Sequence, residues 1–181
     1  MIGRNVPNVC LKTRVRDDSI EGPNPFRWQD QLTGDLLEGK RVVIFSLPGA
    51  FTPTCSTSQV PGFEALYDDF RAEGIDEIYC VSVNDAFVMY QWGKSLGVEK
   101  VKLLPDGSGD FTRRMGMLIR KNHVGFGDRS WRYAMVVENG VVTDWFEEPG
   151  INDAGLDEDP YGETAPENVL EKIKAKQHEP A

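Results

Sequence analysis

Histidine is nearly absent from this chain: only His123 and His178 occur in 181 residues. So few imidazoles leave Ser-His-Asp and Cys-His catalysis poorly supplied and offer little for a histidine-bound metal. His178 falls in a polar C-terminal tail and His123 in the loop-like run Lys121-Asn122-His123-Val124-Gly125, and both read as surface residues. Cysteine is scarce as well. Cys10, Cys55 and Cys80 form an odd set with neither Cys-x-x-Cys nor zinc-ligand spacing, which argues against a disulfide framework and a structural zinc site. No stretch approaches the roughly 20 apolar residues of a membrane-spanning helix. Residues 1–7 lack the apolar core of a secretory signal, so the cytoplasm is the expected compartment and no membrane partner is expected. Net positive charge is missing too. At −9 the chain would be repelled by a phosphate backbone, so nucleic acid is not an expected partner. The local pairs Arg113-Arg114 and Arg120-Lys121 read as solvated surface charge.

What is present suits one soluble domain over residues 1–181, with 40% hydrophobic and 27% charged residues. Residues 8–15 read as an early strand, in which Cys10 has a packing role. Residues 17–25 form a polar loop and Phe26–Gln29 a short strand. Thr33 is placed to cap a short helix through Leu37. The first strong strand is Arg41–Leu47. A helical stripe of Phe63, Leu66, Tyr67 and Phe70 follows at i, i+3, i+4, i+7 spacing, and Gly74 ends it. Pro61 removes a donor there, so a kink or break is expected near Ser58–Pro61. Ile78–Val83 is apolar nearly throughout, as a central strand would be. A helix opens at Asn84-Asp85 and closes at Gly97. Val101–Leu104 is a strand, Pro105-Asp106-Gly107 a turn, and Asp110–Met117 a short helix. Residues 123–128 are a glycine-rich loop. Asn139-Gly140 then joins two β-rich runs, Trp131–Val137 and Val141–Phe146, a strong hairpin signal. An acidic loop, 147–164, precedes a final helix, Pro166–Lys176, with Val169, Leu170 and Ile173 as its apolar face. This order predicts an α/β fold with a mixed sheet flanked by helices.

The chemistry concentrates in Pro48-Gly49-Ala50-Phe51-Thr52-Pro53-Thr54-Cys55. This run follows the apolar Val42–Phe45 strand and precedes a helix, so Cys55 is expected in the helix's first turn. Unpartnered N–H groups and the positive end of the macrodipole favour a thiolate there. A cysteine near a helix start is also often a small core residue, and that reading stands beside the nucleophilic one. Thr52 brings a hydroxyl close to whatever the sulfur would attack. With histidine so scarce, any activating cation is expected to be an arginine. Arg132 is the basic residue within an otherwise apolar strand. Buried, it needs an anionic or strongly polar partner, either in a catalytic site or in a structural ion pair.

The pattern Pro-x-x-x-Thr-x-x-Cys on a strand-to-helix loop, worded Pro-Gly-Ala-Phe-Thr-Pro-Thr-Cys-Ser, resembles the peroxidatic motif of the type II (peroxiredoxin-5-like) peroxiredoxins. Val81–Val88, Leu104–Gly107 and Arg132–Val137 are similar to further family segments, and the likeness spans nearly the whole chain. The resemblance implies a thioredoxin-like fold and a thiol peroxidase that needs no cofactor. In it Cys55 attacks a peroxide oxygen and becomes sulfenic acid. Arg132 and N–H groups at the helix start stabilise the moving charge. The Thr52 hydroxyl accepts from the peroxide and bonds the sulfur, and Pro48 shields the pocket. Hydrogen peroxide and small alkyl hydroperoxides are the implied substrates.

One subgroup of that family places a resolving cysteine in the late loop, yet residues 150–166 contain none. Cys80 lies 25 residues after Cys55, a spacing similar to members reduced through glutathione or glutaredoxin. In a central strand it would be buried, so it is at most a candidate resolving residue. An external thiol is therefore expected, glutathione or glutaredoxin first and thioredoxin second. The chain ends before a fused glutaredoxin domain of the kind some bacterial relatives carry. Relatives commonly dimerise around the peroxidatic loop, and Phe51, Phe87 and Trp92 are candidate contacts for a homodimer, with burial in the core an equal alternative for each. Two other readings share the sequence: a peroxide sensor that relays oxidation to a partner, and a binding domain with an inert Cys55. A thiol-disulfide oxidoreductase is disfavoured, because Ser56-Thr57-Ser58 follows Cys55.

Overall fold

The continuous apolar runs of the sequence become the middle of one sheet. In the computed structural model, which describes residues 1–156 and 158–177, the strands are β1 (Cys10–Arg16), β2 (Phe26–Leu32), β3 (Arg41–Ser46), β4 (Glu77–Ser82), β5 (Lys102–Pro105), β6 (Leu118–Arg120), β7 (Asp128–Ser130), β8 (Tyr133–Glu138) and β9 (Val141–Glu147). The α-helices are α1 (Thr33–Leu37), α2 (Val60–Ala65), α3 (Tyr67–Ala72), α4 (Ala86–Leu96), α5 (Asp110–Arg114) and α6 (Pro166–Gln177), and a π-helical turn spans Cys55–Gln59. Five strands form a mixed sheet in the order β5-β4-β3-β8-β9. β3, β4 and β5 run parallel; β8 is antiparallel to β3, and β9 to β8. Among the described residues no helix is long and apolar enough to cross a membrane.

Both faces of this sheet are covered, which explains why β3 and β4 lack polar alternation. Successive side chains point to opposite faces. Val43, Phe45, Ile78, Cys80 and Val136 pack with Phe63, Phe70, Trp92 and Ile173. Val42, Ile44, Tyr79, Val81 and Met135 pack with Leu11, Leu37, Phe111 and Trp131 on the other side. Phe63 stacks on Phe45 with ring centroids 4.1 Å apart, pinning α2 to β3. Burying one such side chain is worth about 1.5–3 kcal/mol.

Several local expectations are corrected. Cys10 is exposed, not packed, because β1 pairs only with β2 and turns Leu11 inward. Thr33 does not cap α1. Its hydroxyl donates to the Pro7 carbonyl at 2.7 Å and accepts from Val9 N–H at 2.9 Å, tying the chain start to α1 instead. Residues 118–130, read mostly as loop, include the β6–β7 hairpin. Arg132 lies just before β8, not within it. Of the aromatics offered as exposed contacts, Trp92 is fully buried, while Phe51 and Phe87 are exposed. His123 is exposed as expected, and His178 lies outside the described residues.

The segment after Cys55 is irregular in two places. Pro61 has no N–H for the carbonyl four residues back. The ladder meets that gap with the i→i+5 register, in which Val60 N–H reaches the Cys55 carbonyl. A second break, unforeseen, falls at Leu66 (φ −95°, ψ 6°) and separates α2 from α3.

The Asn139-Gly140 hairpin forms as expected, with φ of 47° and 80°, the left-handed pair of a type I′ turn. A Cβ at Gly140 would meet nothing within 4 Å, so the cost of a side chain there is conformational alone. Gly140→Ala should lower unfolding free energy by about 1 kcal/mol, read as a fall in the urea midpoint with an unchanged slope.

Candidate active site

The loop leaving β3 is held from three directions before it reaches the sulfur. Ser46 Oγ donates to the Val81 carbonyl at 2.6 Å, fixing the strand end against β4. Ala50 N–H donates to Asn84 Oδ1 at 3.0 Å, and Ser82 Oγ donates to the same oxygen. Arg129 Nη1 donates to the Pro48 carbonyl at 3.1 Å, and its Nε to the Phe126 carbonyl at 3.2 Å. Between these anchors Phe51 takes φ of 63°, a left-handed conformation that costs a non-glycine residue about 1–3 kcal/mol. Gly49 is required by close approach, since a Cβ there would lie 2.0 Å from Arg129 Nη1.

Cys55 opens the π-helical turn and is fully buried. Ser56 N–H donates to the Thr52 carbonyl at 3.0 Å, and Trp92 Nε1 donates to Ser56 Oγ at 2.9 Å, locking this turn onto α4. The Thr52 hydroxyl gives its proton to the Gly49 carbonyl at 2.7 Å. It therefore presents lone pairs only. The expected bond from Thr52 to the sulfur is not formed, because the proton is already committed.

Arg132 faces the sulfur. Its Nη1 donates to Cys55 Sγ at 3.4 Å and to Gln59 Oε1, and its Nη2 donates to Asp159 Oδ1 at 2.6 Å. The Tyr161 ring lies 5.6 Å from the guanidinium carbon. Among the described residues Arg132 Nε–H finds no partner. Burial pushes this guanidinium towards losing its proton, but the Cys55 sulfur and the Asp159 carboxylate outweigh that and the net shift is upward. The cation is thus secured although the side chain is only 2% exposed. Burial pushes Tyr161 up to about 12, with Glu167 adding to the shift and Arg132 opposing it, so the ring stays neutral beside the arginine.

The structure brings Arg132, 77 residues further along the chain, against the neighbouring Pro48, Thr52 and Cys55. Cys80 lies on the same face of the sheet as Cys55, paired across strands with Phe45. It is fully buried, and burial first and Cys55 second hold its thiol well above the usual range. Cys10 stands on the outer hairpin. Sequence reading missed Gln59, Arg129 and Asp159. Gln59 sits one turn after Cys55 and was detectable as a polar residue on a buried stripe; Arg129 comes from the three-residue strand β7 and Asp159 from the loop before α6, and no periodicity reveals either. Lys121, read as solvated, is buried and lines the same crevice as Pro48, Arg132 and Asp159. A larger cleft of about 700 Å³ lies elsewhere, lined by Arg14, Phe26, Phe87 and Tyr90 among others, and includes none of the four. Among the described residues no His/Cys/Asp/Glu group is arranged to hold a metal ion.

Residues 27–163 match the Redoxin family. A peroxiredoxin of Rhizobium etli is 62% identical over 172 residues, covering 95% of this chain and 96% of its own. The Plasmodium falciparum antioxidant protein, a 1-Cys peroxiredoxin, superposes with a TM-score of 0.87 at 37% identity over 96% of this chain and 99% of its own. Reduced Prx3 of Vibrio vulnificus in complex with hydrogen peroxide does so with a TM-score of 0.82 at 34% identity, over 99% of both chains.

The bond from Arg129 to Pro48 can be broken in two ways. Arg129→Met removes the donor, and Gly49→Ala expels it. Both variants should lose about 1 kcal/mol in urea unfolding, the worth of one partly exposed charged hydrogen bond. Both should also slow reaction of the Cys55 sulfur with hydrogen peroxide by a similar factor, because the same loop is loosened.

Proposed function

The chain belongs to the peroxiredoxin family and is a thiol-dependent peroxidase, and from that premise we propose that Cys55 is its attacking sulfur, with Arg132, Thr52 and Pro48 completing the site. The observation that carries this reading is the bond from Arg132 Nη1 to Cys55 Sγ at 3.4 Å between two buried side chains. A guanidinium donating to a cysteine sulfur interacts most strongly with the thiolate, which is the nucleophilic form.

In this mechanism the Cys55 thiolate donates an electron pair to the nearer peroxide oxygen. The S–O bond forms as the O–O bond breaks. The distal oxygen departs as water or an alcohol, taking the proton that the attacked oxygen carried, and Cys55 is left as sulfenate, which becomes sulfenic acid on taking a proton from water. Negative charge moves from sulfur towards the leaving oxygen. Arg132 serves both ends of that path through Nη1 on the sulfur and the unpaired Nε–H, a donor pre-set for developing charge. Thr52, with its proton on Gly49, accepts from the peroxide O–H. Pro48 forms the pocket wall, held in place through its carbonyl.

The substrate class is peroxide, and hydrogen peroxide is supported by the Vibrio vulnificus complex with it; small alkyl hydroperoxides follow from the same O–O chemistry. Reduction uses an external thiol, which attacks the sulfenic sulfur, releases water and leaves a mixed disulfide that a second thiol resolves. Glutathione or glutaredoxin is the first choice and thioredoxin the second. Supporting this, the similar Plasmodium falciparum protein is a 1-Cys peroxiredoxin, and Cys80 is buried and raised in pKa. Three free thiols, with no disulfide among the described residues, suit a reducing compartment, and the cytoplasm is the compartment proposed. Residues 1–181 are read as one catalytic domain. A homodimer is proposed through Phe51 and Phe87, which are 57% and 50% exposed.

Cys55→Ser should abolish peroxide consumption with glutathione, glutaredoxin and thioredoxin alike, whereas Cys80→Ser should retain it with at least one. Turnover by Cys55→Ser with any donor sinks the assignment. Phe51→Glu together with Phe87→Glu should shift the sedimentation coefficient from dimer to monomer.

A further inference from the structure

A chain of buried hydrogen bonds leaves the site through Gln59 and ends on a carboxylate that the peroxidase mechanism does not use. Gln59 Oε1 accepts from Arg132 Nη1, and Gln59 Nε2 donates to Thr164 Oγ1 at 3.3 Å. The Thr164 hydroxyl donates onward to Glu148 Oε2 at 2.9 Å. All four side chains are essentially buried: Arg132 at 2%, Gln59 at 0%, Thr164 at 0% and Glu148 at 1% exposure. Every direction in this chain is fixed by chemistry. Arginine only donates, so the Gln59 oxygen must face it and the amide nitrogen must face away. A carboxylate accepts, so the Thr164 proton points to Glu148 and its lone pair is left for Gln59. The amide of Gln59 has one satisfied orientation.

Glu148 also closes the loop that carries Asp159. Its two oxygens accept from the backbone N–H groups of Gly162 at 3.1 Å, Glu163 at 2.8 Å and Thr164 at 3.1 Å. Its own N–H donates to the Arg132 carbonyl at 3.2 Å, and its carbonyl accepts from Trp131 Nε1 at 2.8 Å. Gly162–Thr164, just before α6, are therefore gathered around one carboxylate. That loop reaches the arginine twice, directly through Asp159 and indirectly through Thr164 and Gln59.

We propose that Glu148 and Thr164 are positioning residues for the peroxide reaction, acting through Gln59 to fix the guanidinium of Arg132 against Cys55. This rests on the assignment of Cys55 and Arg132 above. An arginine that keeps its charge but loses its orientation donates less well to the departing oxygen, and tightly placed charge is where such sites gain most of their rate. The far carboxylate also polarises the series, since each bond in a connected set strengthens the next.

The test is the stopped-flow rate of the reduced protein with hydrogen peroxide, alongside thermal melting. Thr164→Val leaves the backbone contacts of Glu148 in place and removes only the hydroxyl link. It should slow the reaction on the order of tenfold, the value of one buried polar contact left unmade. Thr164→Ser should restore the rate to within about twofold, because the hydroxyl returns. In a Gln59→Leu background, Thr164→Val should add no further loss, since its effect passes through Gln59. Glu148→Gln should slow the reaction as well, and its melting temperature shows how far loop closure is also affected. A full rate in Thr164→Val, a failure of serine to rescue, or an undiminished effect in the Gln59→Leu background overturns the proposal. Peroxide turnover by Cys55→Ser would instead overturn the assignment of the sulfur.

Discussion

The burial of one guanidinium organises this protein. A cation out of water costs several kcal/mol unless its donors meet acceptors. Arg132 meets them from separate parts of the chain: the Cys55 sulfur, the Gln59 amide and the Asp159 carboxylate, with the Tyr161 ring alongside. Each contact constrains a segment that local propensity leaves free. The turn after β3, the π-helical start of the next helix and the long loop before α6 are all fitted to the same few atoms.

The irregular helix follows from this constraint together with Pro61. In a regular α-helix, Cys55 and Gln59 would lie one turn apart on one face. The i→i+5 register that Pro61 favours widens that turn, and both side chains reach Arg132 from it. Wide turns of this kind recur at functional sites because they present an extra side chain inward at small cost. Trp92, buried and bonded to Ser56, braces the widened turn from α4. Catalysis and packing therefore share residues here: Phe63 anchors the helix on β3 while the turn before it holds the sulfur.

Thr52 shows how a hydrogen-bond count changes a role. With its proton on Gly49 it can accept from a peroxide but cannot donate to the sulfur. A side chain at Gly49 would displace Arg129, which crosses it to reach Pro48. The loop is thus an assembly of small residues and shared carbonyls, stiff enough to hold Phe51 in a left-handed conformation.

The sequence alone determined the α/β order, the two central strands, the Asn139-Gly140 hairpin and the α6 stripe, since periodicity and turn chemistry are local properties. It also singled out Cys55 as the candidate attacking sulfur. The spacing of Pro48, Thr52 and Cys55 is a local pattern, and the likeness of Arg132–Val137 to a family strand supplied the cation. It did not locate Gln59, Arg129, Asp159, Glu148 or Thr164 in the hydrogen-bonded network around Arg132, and it misjudged Cys10, Thr33 and Lys121. Those errors have one cause. Whether a polar or aromatic side chain is buried, and what it meets there, depends on segments up to a hundred residues away in the chain, and only the packed sheet and its loops decide that.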